Sequence, residues 1–293
     1  MTGRDGEVPM TRRDGVASAH DGSAPLVCVR GLEVAVRGRE RGDAGKAVLQ
    51  GVDLDVPAGA RIGIVGESGS GKTTCSRAIS GLLGERLVAR GGSIRLDGID
   101  ILALGERERR RVCSRVVATI PQDAIDALNP YESVLRQMED NVRLHRPDVT
   151  RSRARELALR RVADVRLRLT ADELDHRPSA FSGGMRQRLA IAMALEAPAK
   201  LLVADEPTTS LDAVNQEGLL DLIDSVCSER GMALLYISHN LGLVARTCET
   251  VVVMRDGRVI ERGSTREVLS APRDPYVARL VAATRDLLGE EGD

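Results

Sequence analysis

The stretch from Gly66 to Thr74 has the residue types and spacing of a loop that binds phosphate groups. It follows the apolar run Ile62 to Val65 and precedes a helix-like segment, so it meets the pattern G-x-x-x-x-G-K-[ST] in its required context. Glycines let the backbone turn its N–H groups toward phosphate oxygens, and the helix adds the positive end of its dipole. The stretch predicts a nucleoside triphosphate site formed by Gly66, Glu67, Ser68, Gly69, Ser70, Gly71, Lys72, Thr73 and Thr74.

Two adjacent acids, Asp205 and Glu206, end the apolar run Leu201 to Ala204. In a phosphate-loop protein, the first acid at such a strand end holds Mg²⁺ through its waters, while Lys72 reaches the β- and γ-phosphates and Thr73 ligates the metal. Successive residues at a strand end diverge, so the second acid is free to orient or deprotonate an attacking water. An isolated Asp-Glu pair could equally be a solvated turn. Together with the phosphate loop, the pair predicts hydrolysis.

A second Ser-Gly-Gly sequence, Ser182 to Gly184, immediately precedes the apolar helical run Leu189 to Leu195. The N-terminus of that helix could bind another anion. Alternatively, Ser182 could simply cap the helix with its hydroxyl. Taken alone, the residues favour the capping interpretation.

Composition limits the class of protein. The 293 residues suit one large α/β domain with an insert or two small domains, and a net charge of −1 gives no reason to expect a nucleic-acid partner. The five cysteines lack C-x-x-C spacing, which argues against a disulfide framework and a zinc site and favours a reducing compartment. No apolar run is long enough to cross a membrane or to form a signal peptide, so we expect a cytosolic chain.

The apolar runs predict an α/β fold. Residues 1–24 have too little apolar content to fold and are expected to be a disordered leader, with one domain over 25–293. An antiparallel layer is expected first, and then a mixed sheet with crossover helices that closes with a hairpin at Asp256-Gly257. The predicted strands are Leu26 to Val36, Val48 to Val56, Ile62 to Val65, Ser93 to Leu96, Val116 to Ile120, Lys200 to Ala204, Met232 to Ile237 and Val251 to Met254.

The middle of the chain, about residues 131–180, lacks strand patterns and has apolar residues at helical spacing, which predicts a helical insert. A helical tail is expected over about 264–288. Two arginine-dense runs, Glu106 to Arg111 and Arg151 to Arg168, could contact an anionic membrane surface or a membrane partner. Solvated helix faces are the favoured interpretation.

The order of these elements resembles the ATPase subunit of ABC transporters, over roughly Leu26 to Leu288. The resemblance implies an ABC-type phosphate-loop core with an antiparallel β layer and a helical insert, and it implies ATP and Mg²⁺ as cofactors. It identifies Gly66 to Thr74 with the Walker A loop and Leu201 to Asp205 with the Walker B strand. The Mg²⁺ ligands it implies are Thr73, Gln122 and Asp205.

The same resemblance implies roles for residues that mean little alone. Glu206 matches the catalytic glutamate, His239 the switch histidine and Gln122 the Q-loop glutamine. A lone glutamine or histidine near a strand is more often an ordinary polar residue, so only the joint pattern supports these roles. The signature loop, in which Ser182, Gly183 and Gly184 close on the ATP of a partner cassette, and the D-loop with Asp212 complete the pattern.

Three further features resemble the peptide and nickel importer branch: Gln122-Asp123 with Leu128-Asn129-Pro130, the form Ser-Gly-Gly-Met-Arg-Gln-Arg, and the tail Asp274 to Leu280. That branch implies import of oligopeptides, dipeptides or chelated nickel. It implies a second, non-identical ATPase subunit, two membrane permeases, an external solute-binding protein and a peripheral position on the cytoplasmic face of the membrane. Nucleic acid is not an expected partner.

The chain departs from the family pattern in the residues expected to contact the adenine base. Cassettes usually stack an aromatic residue from the end of the first strand on adenine, but none occurs between Leu32 and Gln50. An alternative function also stays open, namely a non-transport ATPase that clamps a ribosome or DNA. A single cassette and an insert without sustained heptads favour transport over this alternative.

Overall fold

The computed structural model describes residues 24–38, 45–122, 127–208 and 213–288. Within these ranges the chain forms two β-sheets and a set of helices. The strands are β1 (Val27–Val36), β2 (Ala47–Val56), β3 (Arg61–Val65), β4 (Leu87–Leu96), β5 (Ile99–Asp100), β6 (Val117–Ile120), β7 (Leu201–Asp205), β8 (Ala233–Ser238), β9 (Thr250–Arg255) and β10 (Arg258–Ser264).

The helices alternate with strands in the core and follow one another in the middle of the chain. They are α1 (Lys72–Ile79), α2 (Glu106–Val116), α3 (Val134–His145), α4 (Arg151–Asp164), α5 (Ala171–Leu174), α6 (Gly183–Ala194), α7 (Ala213–Arg230), α8 (Leu241–Thr247), α9 (Thr265–Ser270) and α10 (Pro275–Leu288).

The smaller sheet is antiparallel, with strand order β2-β1-β4-β5. Its alternating buried residues in β1 and β2 confirm the predicted antiparallel layer. The prediction was wrong about β4, which begins at Leu87 rather than Ser93, and it missed β5. Gly91-Gly92 resembled a strand boundary, but it lies where the pairing of β4 with β1 shifts register. A Cβ at Gly92 would lie 2.4 Å from the Gly31 carbonyl oxygen, so glycine permits the close approach of the strands.

The larger sheet has the order β10-β9-β3-β8-β7-β6, and β3 pairs in parallel with both β8 and β9. The turn at Asp256-Gly257 joins β9 to the antiparallel β10, as predicted, with positive φ at both residues. The short apolar strands are buried on both faces, as expected for a parallel sheet covered by helices. Parallel pairing brings the carboxyl ends of β3, β7 and β8 to one edge.

The middle of the chain is helical, as the sequence predicted, because its apolar residues meet across the helices. Leu135 and Met138 of α3 and Ala154 and Ala158 of α4 are buried in the same core cluster. The side chains of Ser133 and Thr150 cap α3 and α4. Many arginines of α4 are exposed, as the favoured interpretation predicted. Three ion pairs join this helix to buried acids: Arg151 and Arg155 to Glu139, and Arg161 to Glu196.

The C-terminal part forms α9, which begins with a capping box of Ser264 and Glu267, and α10. None of the helices in the described ranges has the length and apolar character needed to span a bilayer. The predicted disordered leader, residues 1–24, lies outside the described residues apart from residue 24. The domain division therefore stays a prediction.

Candidate functional site

The phosphate loop lies between the end of β3 and the start of α1, and its backbone requires glycine. Gly66, Gly69 and Gly71 all have φ between 82° and 154°. A Cβ at Gly66 would lie 2.1 Å from the carbonyl oxygen of Met254, so the loop packs directly against β9. The amide of Gly257 donates to the Ser70 carbonyl oxygen at 3.0 Å, which ties the loop to the β9–β10 turn. The fold thus preforms the loop.

Lys72 is buried inside this loop, with 4% of its surface exposed. Its Nζ donates to the carbonyl oxygens of Gly66 and Glu67, each at 2.8 Å. Burial lowers the pKa of Lys72, while the nearby carboxylates of Glu206 and Asp205 oppose that shift. The Lys72 ammonium group is thus bound by backbone carbonyl oxygens, and phosphate oxygens can replace them.

Asp205 ends β7 and accepts hydrogen bonds from α1. Thr73 Oγ1 donates to its Oδ1 at 3.2 Å, and Ser76 Oγ donates to its Oδ2 at 3.0 Å. Burial raises the pKa of Asp205, although both hydroxyls oppose the shift. Sequence reasoning missed Ser76, whose only signal was its place one turn after Thr73 on α1.

The donor set at Asp205 suits Mg²⁺, which prefers hard oxygen ligands and keeps several waters. Thr73 and Asp205 supply a hydroxyl and a carboxylate that already lie in contact. In the described part of the chain, no group of three or more His, Cys, Asp and Glu side chains could hold a metal alone. Because Mg²⁺ keeps several waters, oxygens from phosphate and water would complete the coordination of an ion held here.

Glu206 and His239 come from the ends of the neighbouring strands β7 and β8, and they meet. His239 Nδ1 lies 3.2 Å from Glu206 Oε2. Glu206 has a φ of 47°, which is uncommon for a residue other than glycine, and its amide donates to the Ile237 carbonyl oxygen at 2.9 Å. Such backbone strain of about 1 to 3 kcal/mol persists where the surrounding structure fixes it, and it often marks functional sites. The Glu206 side chain lines a cavity next to the phosphate loop.

A cavity of about 690 Å³ brings most of the predicted residues together. All predicted phosphate-loop residues except Ser70 line it, together with Gln122, Glu206 and His239. Ser70 is buried beneath the loop, and its hydroxyl has no hydrogen-bond partner. Two residues that sequence reasoning missed, Val48 and Leu280, complete the lining. Both are ordinary apolar residues in sequence, so only the fold could reveal them.

The Ser-Gly-Gly sequence lies elsewhere, and its three residues are not part of the cavity lining. Ser182 caps α6, accepting a hydrogen bond from the Met185 amide at 3.4 Å. A Cβ at Gly183 would meet no atom within 4 Å, so the start of α6 is open. The capping interpretation therefore describes the geometry, and the open surface leaves space for another molecule. Asp212 lies outside the described residues, so its predicted contact with the ATP of a partner cassette stays a prediction.

A buried amide links α6 to the segment after Glu206. Gln187, 2% exposed, donates through its Nε2 to the carbonyl oxygen of Pro207. Gln216 of α7 donates to the carbonyl oxygen of Thr208 at 3.2 Å. Sequence reasoning missed both contacts, because each of them joins residues that are separated in sequence. Together the two hydrogen bonds hold the segment that directly follows Glu206.

The aromatic residues of the described chain do not line the cavity. Phe181 and Tyr236 are buried in the larger core cluster, and Tyr131 is 81% exposed on the helical insert. Tyr276 is buried and accepts a hydrogen bond from the Glu67 amide through its hydroxyl. The apolar side chains in the cavity lining are those of Val48 and Leu280.

The sequence pattern of the family described as "ABC transporter" matches residues 49–209. This chain belongs to the ABC transporter family. The match covers the phosphate loop, the helical insert, the signature sequence and the acidic pair, and it confirms the predicted resemblance. The chain is accordingly an ABC-type ATPase.

The sequence similarity of this ABC ATPase to its relatives covers most of its length. It is 39% identical over 262 residues to the "Probable peptide ABC transporter ATP-binding protein y4tR" of Sinorhizobium fredii, covering 89% of this chain and 77% of the relative. It is 38% identical to the "Oligopeptide transport ATP-binding protein OppD" of Salmonella typhimurium, covering 85% of this chain and 73% of the relative. It is also 38% identical to the "Dipeptide transport ATP-binding protein DppD" of Escherichia coli, covering 79% and 71%.

Solved structures support the fold. The ATP-binding cassette MJ0796, in a dimeric post-hydrolysis state bound to ADP and phosphate, is similar with a TM-score of 0.71. The similarity covers 82% of this chain and 99% of that one at 24% identity. The predicted fold, a phosphate-loop core with an antiparallel layer and a helical insert, is thereby confirmed.

Proposed function

We propose that this ABC ATPase hydrolyses ATP to drive import of peptides through separate membrane permeases. The observation that carries the proposal is that three groups lie together where β3, β7 and β8 end. They are buried Lys72, the Asp205 carboxylate in contact with Thr73, and the Glu206 carboxylate beside His239. The relatives named for peptide, oligopeptide and dipeptide transport supply the substrate class. Chelated nickel complexes are the second cargo class that the motif pattern suggests. The same names favour transport over a clamp acting on a ribosome or DNA.

Within the cavity, the phosphate loop binds the triphosphate of ATP. The N–H groups at the start of α1 would face the phosphates. Lys72 would exchange its carbonyl partners for phosphate oxygens. Thr73, Asp205 and Gln122 would hold Mg²⁺, which when bound neutralises charge on the β- and γ-phosphates. The contact between Thr73 and Asp205 supports this assignment, since it already brings two of the three side chains together.

Glu206 acts as the residue that orients and deprotonates the attacking water. Glu206 lines the cavity and contacts His239, whereas Asp205 accepts from Thr73 and Ser76, so the two acids have different partners and can have separate tasks. His239 contacts the Glu206 carboxylate at 3.2 Å and can hold it in position beside the γ-phosphate. The arrangement suits in-line attack of water on the terminal phosphate.

Ser182, Gly183 and Gly184 contact the ATP of a partner cassette, and Asp212 of the D-loop is assigned to the same ATP. The openness of the helix start at Gly183 supports a role toward a second molecule rather than toward this chain's own cavity. The partner is a second, non-identical ATPase subunit. Two membrane permeases and an external solute-binding protein complete the assembly, which holds this chain at the cytoplasmic face of the membrane.

The test is reconstitution of the tagged chain, purified with its membrane partners, into liposomes. We expect ATP-dependent uptake of a labelled di- or oligopeptide, with ATPase activity raised by that peptide and not by a chelated nickel complex. The same assembly carrying Glu206→Gln is the control and should not transport. Uptake of the nickel complex alone would correct the cargo, and co-purification with ribosomes or DNA instead of permeases would overturn the proposal.

A further inference from the structure

The C-terminal helix α10 reaches the phosphate loop across 209 residues of sequence. The Tyr276 hydroxyl accepts a hydrogen bond of 3.0 Å from the amide of Glu67. One helical turn further on, Leu280 lines the nucleotide cavity. The helix therefore touches the site with two residues of one face, although neither belongs to a nucleotide-binding motif.

The segment that leads into α10 is tied to β10. Glu261 of β10, 8% exposed, accepts hydrogen bonds from the amides of Arg273 and Asp274 at 3.0 to 3.1 Å. Asp274 in turn accepts from the amide of Tyr276 at 2.7 Å. These bonds hold the first turn of the helix against the sheet, so Tyr276 enters its contact already oriented.

The ring of Tyr276 is also fixed. The guanidinium of Arg255 lies 4.9 Å from the ring centroid, and that of Arg279 lies 5.9 Å from it. Arg255 directly follows Met254, whose carbonyl oxygen packs against Gly66. The ring, β9 and the phosphate loop thus form one packed unit.

The Glu67 amide and the Gly66 carbonyl belong to the same peptide unit, and the two groups have different partners. Tyr276 accepts from the N–H, while Lys72 Nζ donates to the C=O. A trans peptide points these groups in opposite directions, so the two side chains hold the plane from opposite sides. When Lys72 turns to a phosphate, its half of this arrangement is lost. The bond between the Glu67 amide and Tyr276 does not involve Lys72, so it would remain.

We propose that Tyr276 is a positioning residue of the nucleotide site, which holds the first peptide of the phosphate loop in its ATP-binding orientation. The inference rests on the assignment of this loop as the ATP site. It gives the C-terminal helix a direct part in nucleotide affinity, and it predicts that changes in α10 alter ATP binding before they alter the chemical step.

The experiment compares Tyr276→Phe with Tyr131→Phe in the full chain. Both remove one hydroxyl, but Tyr131 is 81% exposed on the helical insert. We expect Tyr276→Phe to weaken Mg·ATP binding, measured by calorimetry, about three- to tenfold, because one neutral hydrogen bond is lost. The KM for ATP should rise by a similar factor while kcat at saturating ATP stays within about twofold. Tyr131→Phe should match the unchanged chain.

Equal ATP affinity in the two variants would overturn the inference. If the unchanged chain did not bind ATP, the assignment of the loop itself would fail instead, so the two failures are distinguishable. Hydrogen exchange of the unchanged protein gives a test that needs no variant. The Glu67 amide should be protected, and free exchange of that amide would also contradict the proposal.

Discussion

Two helices of this ABC ATPase begin with glycine and serine, yet their N-termini differ in construction. At α1, Gly71 has a φ of 101° and no side chain caps the helix, so the N–H groups stay available to a ligand. At α6, Ser182 caps the helix with its own hydroxyl. The first terminus lies in a cavity with buried charges, and the second lies on an open surface. Similar residue types in sequence thus produce a pocket in one place and an open surface in the other.

The glycines show the same contrast. A Cβ at Gly66 would lie 2.1 Å from a backbone oxygen of β9, whereas a Cβ at Gly183 would meet nothing within 4 Å. The fold therefore requires glycine at the first position and permits a side chain at the second.

The largest expected effect comes from Glu206→Gln. The substitution keeps the shape of the side chain but removes the base, so turnover of ATP should fall by about 10² to 10⁴. ATP affinity should stay within about threefold, since Lys72 and the loop amides are intact. Steady-state phosphate release and equilibrium ATP binding, measured on one preparation, check this. Normal turnover would show that Glu206 is not the base.

The next effect is on binding. Lys72→Ala removes the buried cation that contacts the loop carbonyls, so affinity for Mg·ATP should fall more than about tenfold, as expected for loss of a charge-assisted contact. Lys200→Ala is a matched control, because Lys200 pairs with Asp97 on the surface with 58% of its side chain exposed. ATP titration of both variants tests the prediction. Unchanged affinity in Lys72→Ala would undermine the phosphate-loop assignment.

A pair of glycine substitutions sharpens the comparison of the two helix starts. Gly66→Ala should lower the melting temperature and abolish ATP binding, because the new methyl group collides with the Met254 carbonyl. Gly183→Ala should leave the melting temperature and ATP binding of the isolated chain unchanged. In the assembled cassette pair it should lower turnover, because the methyl group occupies the open surface. Full activity of Gly183→Ala in the assembly would argue against a docking role there.

The smallest effect concerns the stability of the nucleotide-free protein. Burial lowers the pKa of Lys72 below its ordinary 10.5, so the charged form is less favourable in the folded chain than in the unfolded chain. Lys72→Met should therefore raise the melting temperature modestly at pH 7. The gain should shrink as pH rises toward 10.5, because the folded protein then releases the proton first. Calorimetry at pH 7 and 9.5 checks both signs, and an equal gain at the two values would contradict the burial argument.

Much of the fold follows from the sequence because its signals are local. Short apolar runs predicted the strands of both sheets to within a few residues, and the loop pattern predicted the cavity around Lys72. The first half of β4 was missed because Gly91-Gly92 reads as a boundary when β1 is not in view. Two-residue β5 is too short to carry any periodicity.

The missed parts of the site are those that depend on distant partners. Ser76 acquires meaning only once β7 brings Asp205 beside α1, and Tyr276 only once α10 lies against the loop. Val48 and Leu280 carry no chemical signature and line the cavity through packing alone. Motifs predict which residues bind phosphate, while the rest of the pocket is a property of the three-dimensional arrangement.

The most direct test of the proposed ATP sites is a structure of the Glu206→Gln variant with Mg·ATP and its partner cassette. We predict that the γ-phosphate lies beside Lys72 and that Thr73 and Asp205 hold Mg²⁺. We also predict that the Ser182 loop contacts an ATP bound by the other subunit. A triphosphate bound away from the β3–α1 loop, or a Ser182 loop that contacts no nucleotide in the closed pair, would contradict these predictions.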